Sequence, residues 1–393
     1  LKIISRTVWI LAIVSFFTDT ASEMLYPILP VYLNSLGFSV FYIGMLEGVA
    51  EAFVGLSKGY FGKLSDLSGR RVPFVQAGYI LSAVSKPLLA VFTYPMWILF
   101  CRTADRLGKG IRAGARDAVL SSEGTRKTRG TVFGFHRSMD TLGAVLGPLL
   151  ALWFLQVNPG QYKSLFLLAF IPGAAAILSL FFLKEKSEKQ ARERVSTGFF
   201  SFLTYWKNSS KQYRQLAGAL MMFTLFNSSD LFLILKVKEA GFDDSFLITI
   251  YIFYNLVYAL FAWPAGYLAD RFGLKKVFLF GLLLFASCYF GMALATEAYS
   301  FFIIFFVYGM YAATTEGVGK AWLVNVTGNA ETGTALGSLA AAQSISAMMA
   351  STLTGFVWWQ GGPEFAFAVS AIAALAIFFY LLKAIPGADK KSS

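Results

Sequence analysis

The sequence predicts an all-α membrane protein of twelve transmembrane helices, built as two related six-helix halves. Three observations predict it. Of 393 residues, 56% are hydrophobic and only 14% charged, whereas a soluble domain carries about 25% charged residues. Apolar runs recur that approach the ~20 residues needed to cross a hydrocarbon core of ~30 Å. The stretch "GKLSDLSGRRVPF" at 62–74 returns as "GYLADRFGLKKVF" at 266–278, an offset of 204 residues that is about half the chain.

Hydropathy places spans at 7–33, 41–62, 73–93, 96–121, 131–155 and 164–183, then at 215–237, 245–264, 276–295, 299–323, 334–358 and 364–383. Each reads as a helix, because a backbone exposed to lipid must satisfy its own hydrogen bonds. The expected organisation is an amino-terminal bundle over 1–183, a basic cytoplasmic linker over 184–214 and a carboxy-terminal bundle over 215–393. The first span contains Asp19 and Glu23 and has no small-residue cleavage site, so it reads as a retained helix and not a signal peptide. Cys101 and Cys288 fall in apolar segments of different halves and suit neither a disulfide framework nor a metal site.

The formal charge is +12, but its distribution speaks against nucleic acid. Cations outside the spans collect in alternate loops: Lys63, Arg70 and Arg71; Arg126, Lys127 and Arg129; Arg271, Lys275 and Lys276. That is the positive-inside pattern of a plasma (bacterial inner) membrane protein with both termini in the cytoplasm.

The fourth span is the anomaly. "CRTADRLGKGIRAGARDA" at 101–118 holds the cations Arg102, Arg106, Lys109, Arg112 and Arg116 and the acids Asp105 and Asp117. At 100° per residue all seven fall within an arc of roughly 140°, running about 21 Å along the axis. A lone charge at the bilayer centre costs about 2.5–3.5 kcal/mol on the insertion scale, so this face must meet acids and water. Candidate partners are Asp19 and Glu23 on the first helix, Glu47, Glu51 and Lys58 on the second, and His136 and Asp140 on the fifth. In the second half, the offset of 204 maps Arg112 to Glu316 and Arg116 to Lys320, while the seventh span offers "FNSSD" with Asn227 and Asp230. Phe226, Tyr254, Asn255, Tyr258, Trp263 and Tyr308 are candidates for a softer wall.

The repeated G-x-L-[SA]-D-x-x-G-x-[RK]-[RK] loop resembles the signature of the major facilitator superfamily, and the twelve-span outline extends the match over nearly the whole chain. The resemblance implies two bundles that rock about a central site lined by the first and fourth helices, working as a monomer. It also implies a cytoplasmic latch at Asp66 and Arg70, with Glu123 as a partner for Arg70 and Asp270 as the second copy's acid. Leu274 stands where Arg70 would align, which implies a weaker second latch. "DTASEMLYPILP" at 19–30 resembles the first helix of twelve-helix drug:proton antiporters, with an acid ahead of Pro27 and Pro30. "GAVLGPLLA" at 143–151 resembles the fifth-helix element of exporters. Physically, Gly143 and Gly147 share a face and allow close helix approach, and Pro148 adds a weak point.

The functional expectation is a proton-coupled secondary transporter exporting a small amphipathic molecule. Asp19 leads the proton-coupling candidates, because a carboxyl group taken out of water is suited to carry a proton. Glu23, Glu51, Asp140 and the lone His136, whose unperturbed imidazole titrates near neutrality, follow. Glu47, Arg102, Asp105, Arg106, Lys109, Asn227, Asp230, Asn255, Glu316 and Lys320 are candidates for the substrate cavity. Asp66, Arg70, Arg112, Arg116, Asp117, Glu123 and Asp270 are candidates for the cytoplasmic gate. The arginine forks equally suit an organic anion or zwitterionic metabolite, taken up or exchanged. A non-transporting receptor on the same scaffold is a third reading. "RLGKG" lacks the strand, glycine loop and Lys-Ser/Thr of a phosphate cradle, and no metal cluster or reactive triad is visible. The expectation is therefore a carrier that is not an enzyme and needs no cofactor, with the substrate, protons and the bilayer as its partners.

Overall fold

The structure is a computed structural model that describes residues 4–26, 28–38, 40–185, 198–228, 230–328 and 331–384; side chains at 30, 31, 34, 40–53, 231 and 244 are outside the description. Glu47 and Glu51 therefore lie on described backbone with undescribed side chains, and Pro27 lies outside the described residues. Among the described residues all regular structure is helical.

The helices are α1 (Arg6–Glu23), α2 (Leu29–Ser35), α3 (Val40–Ser68), α4 (Val72–Leu88), α5 (Pro95–Glu123), α6 (Arg129–Val157), α7 (Tyr162–Leu168) and α8 (Phe170–Leu180). After a short 3₁₀ turn at Ser201–Leu203 come α9 (Thr204–Asn208), α10 (Lys211–Phe226), α11 (Asp230–Glu239), α12 (Asp244–Phe272), α13 (Leu274–Leu294), α14 (Ala298–Asn325) and α15 (Thr332–Ala384). Polar side chains start several of them: Ser5 Oγ accepts from Val8 N at 3.3 Å, Ser210 Oγ from Tyr213 N at 3.1 Å and Asp243 Oδ1 from Phe246 N at 2.9 Å.

Most expected spans map onto one helix, and the departures are breaks. The first span divides between Glu23 and Leu29, the seventh between Phe226 and Asp230, and α15 bends at Gly362, where φ is 82°. That last break separates the two final spans at the place the hydropathy minimum puts it. Both copies of the repeated loop turn on a glycine in the left-handed region, Gly69 at φ 63° and Gly273 at φ 103°, which is why the repeat keeps glycine there. Described helices long and apolar enough to cross a membrane include α6, α13, α14 and α15. The charges of α5 exclude it from that set.

The chain forms two compact units. Unit 1 comprises Leu1–Glu123, Met139–Lys207 and Gly328–Ala341; unit 2 comprises Gly124–Ser138, Asn208–Thr327 and Ala342–Ser393. Each unit thus includes the opening turns of a long helix whose remainder belongs to the other: α15 for unit 1 and α6 for unit 2.

In unit 1, α5 packs between α3 and α4. Its sequence "GKGIRAG" explains how a helix this charged is held. A Cβ on Gly108 would lie 2.6 Å from the Gly78 carbonyl of α4, and one on Gly114 would lie 2.8 Å from Gly62 of α3. Glycine gives α5 a close-packed flank, while its long cations emerge from another face. α1 and α6 approach in the same way, since a Cβ on Gly143 would meet Phe16 O at 2.4 Å and one on Gly147 would meet Thr20 O at 2.6 Å. Pro148 follows within continuous helix. In unit 2, α12 and α13 flank the buried α14. Its core is aromatic, with Phe285 stacked on Tyr289 at 4.0 Å and edge-on to Tyr311 at 5.0 Å.

Because Gly147 faces backbone atoms, Gly147→Val is expected to lose about 1–3 kcal/mol of stability by overpacking. Gly198→Ala, with nothing within 4 Å of the added carbon, should stay within about 0.5 kcal/mol. Thermal melts of the two purified variants check this; equal melting temperatures would contradict the α1–α6 approach.

Candidate functional site

The charged face of α5 opens onto a cavity in unit 1. Arg102, Asp105, Arg106, Lys109 and Arg112 line it together with Asp19, Ser22 and Glu23 of α1, Tyr26 just beyond α1, and Ser82 of α4. The lining holds four cations and three acids, so it carries an excess of positive charge.

The acids are used differently. Asp105 is committed to structure: it accepts from Ser82 Oγ at 2.5 Å, pairs with Lys86 Nζ at 3.1 Å and faces Arg102 at 3.6 Å. Lys86 is only 2% exposed, so this pair ties α4 to α5 from inside. Glu23 lies in the field of Lys109, Arg106 and Arg102. Asp19 faces α6 beside Gly143 and lies in the field of Asp140, to whose Oδ1 the Ser15 hydroxyl donates. Farther along α5, the Arg112 guanidinium stacks 4.3 Å over the Tyr79 ring, and Arg116 pairs with Asp117 at 3.0 Å. Glu123 is half-buried at the end of α5. His136 is buried on the opening turns of α6, in the stretch that belongs to unit 2.

Unit 2 carries its own polar cluster. Tyr308 donates to Asp230 Oδ1 at 2.5 Å and Tyr254 to Oδ2 at 3.4 Å. Asn227 Nδ2 donates to Tyr311 at 2.9 Å, and Ser228 meets Tyr289 at 3.0 Å. Asn255 is buried and donates to the Tyr251 carbonyl of its own helix at 3.0 Å. Arg137 donates to Tyr258 at 2.5 Å and pairs with Glu316 at 3.4 Å. Lys320 is half-buried on α14. A second crevice in unit 2, lined by Pro264, Leu268, Phe272 and Phe280, is apolar and holds no charge cluster.

The two loop acids do one job twice. Asp66 accepts from Gly333 N at 3.2 Å, Thr334 N at 2.6 Å and Thr334 Oγ1 at 2.9 Å, capping the first turn of α15 within unit 1. Asp270 accepts from Gly130 N at 2.8 Å and from Thr131 N and Oγ1 at 2.6 Å each, capping the first turn of α6 within unit 2. A carboxylate there meets unpaired N–H groups and the positive end of the helix dipole.

The basic residue at Asp66 is Arg71, at 3.2 Å, while Arg70 is exposed and its N–H bonds to Ser68 Oγ at 3.2 Å. Arg71 N and Val72 N donate to Glu185 at 3.1 and 2.8 Å, a cap for α4 supplied from beyond α8. Sequence reasoning did not single out Lys86, Glu185 or the two capped helix starts. The helix starts had a signal: "RGTVFG" at 129–134 and "TGTALG" at 332–337 share a G-T-x-x-G pattern. Lys86 had one too, as an isolated cation in an apolar run.

The chain is 31% identical over 385 residues to the uncharacterized MFS-type transporter MJ1317 of Methanocaldococcus jannaschii, covering 96% of this chain and 95% of the relative. It is 23% identical over 316 residues to a multi-drug resistance efflux pump PmrA homolog of Lactococcus lactis, covering 77% and 76%. Its fold matches the crystal structure of the human organic anion transporter MFSD10 with a TM-score of 0.77 at 18% identity, over 96% of this chain and 99% of that one. The profile of the Major Facilitator Superfamily matches residues 11–254 and 216–393, and with these helices and this repeat the chain belongs to that family of membrane transporters.

Proposed function

We propose that the chain is a proton-coupled secondary transporter that exports a small amphipathic molecule by alternating access, as a monomer in the bacterial plasma membrane with both termini cytoplasmic. The observation that carries the reading is the placement of Asp19 in the field of Asp140, two acids on helices that approach to backbone contact at Gly143. Two carboxyl groups can hydrogen-bond only around a shared proton; without it two like charges face each other in low dielectric. Loss of the proton therefore drives α1 and α6 apart at this point, or draws Asp19 toward Lys109 and Arg112, whose charges it already feels. Protonation thus biases helix arrangement, which is the coupling a carrier requires. Similarity to an efflux pump supports export.

A second reading has its own observation. The unit 1 cavity carries more cations than acids, and with Asp105 committed to Lys86 and Arg102 the excess favours an organic anion or a zwitterion. In both readings Asp66 and Asp270, with Arg112, Arg116, Asp117 and Glu123 nearby in the sequence of α5, belong to the cytoplasmic gate.

Proton flux in proteoliposomes, measured against panels of amphipathic cations, zwitterions and organic anions, separates the readings. Substrate-driven proton movement is expected, and Asp19→Asn and Asp140→Asn should each reduce it at least tenfold. Tracer uptake of an anion with no proton movement, lost only in Arg106→Ala, would replace export with anion exchange. For the gate, a carboxylate at a helix N-terminus contributes about 0.3–2 kcal/mol. Asp66→Asn should accordingly raise the labelling of a cysteine introduced at Thr332 by a membrane-impermeant maleimide from the cytoplasmic side. Unchanged labelling would remove Asp66 from the gate.

A further inference from the structure

We propose that Asp230 and the tyrosines around it form a binding site in unit 2 for an organic cation, a quaternary ammonium or alkylated amine; this rests on the transport reading and names a substrate class for it.

The backbone builds the site first. The seventh span abandons the helix between Phe226 and Asp230, and Asn227 is extended at φ −88° and ψ 94°. A break inside a membrane span is tolerated only where other groups satisfy the freed backbone and side chains. Here Tyr311 and Tyr289 hold the side chains of Asn227 and Ser228 at the break. The restart places Asp230 in the first turn of α11, where the helix dipole favours a negative charge.

Among the described residues the acid has no counter-charge, and the Asp230 carboxylate is held by two phenol hydroxyls, Tyr308 at 2.5 Å and Tyr254 at 3.4 Å. Three other acids of the spans meet cations: Asp105 has Lys86 and Arg102, Glu316 has Arg137, and Glu364 has Lys236. A membrane carboxylate left with hydroxyls alone is costly, and a ligand cation supplies what is missing.

The surroundings select the kind of cation. Tyr254 has its ring centroid 5.0 Å from Tyr308 and 6.4 Å from Tyr258, and Tyr308 lies 5.4 Å from Tyr311. Aromatic faces are electron-rich and attract weakly hydrated organic cations, the basis of ammonium recognition by aromatic cages. The same wall already holds a protein cation: the Arg137 guanidinium lies 5.4 Å over the Tyr258 ring. Asp230 itself is half-buried, not sealed.

The test is calorimetric binding to the full chain in nanodiscs. The probes are benzyltrimethylammonium, its neutral isostere with carbon in place of nitrogen, and sodium ion. Benzyltrimethylammonium should bind at least tenfold more tightly than the isostere. Asp230→Asn and Tyr254→Leu should each weaken it at least tenfold, whereas Tyr308→Phe, which keeps the ring, should weaken it less than Tyr254→Leu does. Equal binding of the charged and neutral probes by the wild-type chain overturns the proposal without any variant. Displacement of the ammonium by millimolar sodium assigns Asp230 to an inorganic cation and also overturns it. If ammonium binding fails while Asp19→Asn still abolishes substrate-driven proton flux, the site falls and the transport reading stands.

Discussion

Charge must be neutralised where water is scarce, and in unit 1 that constraint fixes almost everything else. Five cations on one face of α5 cannot point into hydrocarbon. Four of them line a cavity together with the two acids of α1, and the fifth, Arg116, pairs with Asp117. The opposite demand, that a helix bearing such bulk still pack tightly, is met by the glycines between the cations, which let α3 and α4 come within backbone contact. Charge and glycine alternate in "RLGKGIRAGAR" because each solves one half of the same problem.

The acids around that face are not equivalent, and the difference separates scaffold from switch. Asp105 is surrounded by donors and cations that fix its charge, and it ties α4 to α5 through a lysine sealed from solvent. Breaking such a pair from one side strands a buried charge, so it behaves as a rigid tie. Asp19 lies in the field of another acid, Asp140, and in the proposed function its arrangement responds to a proton. Rigid tie and labile contact are held by helices of one unit, so rearrangement at the second can proceed against a frame set by the first.

Much of this was legible in the sequence. The period of α5 put its charges on one face, and five of the seven stripe residues line one cavity with Asp19 and Glu23. The glycine pattern at 143–147 matched a real close approach. Other features were not legible, for identifiable reasons. Hydropathy averages over a window, so it ran through the breaks that follow Glu23 and Phe226. Adjacent arginines look interchangeable in a motif, yet the left-handed turn at Gly69 turns Arg71 inward and leaves Arg70 in solvent. A buried lysine in an apolar run has no periodic partner, because Asp105 comes from another helix. The role of Asp66 depended on a helix start 267 positions away, which no local pattern announces.

The duplicated loop also serves as a comparison made by descent. In the first copy the acid has both Arg71 and a helix N-terminus; in the second, Lys275 stands where Arg71 aligns and donates to the Leu382 carbonyl, and Asp270 is held by N–H groups and a threonine hydroxyl. Two sites that began identical have drifted apart in their basic residue while both retain the acid, the Gly-Thr pair and the turn glycine. Comparison within one chain thus separates the contributions: the carboxylate on the helix start is common to both copies, whereas the basic residue beside it is arginine in one and lysine in the other.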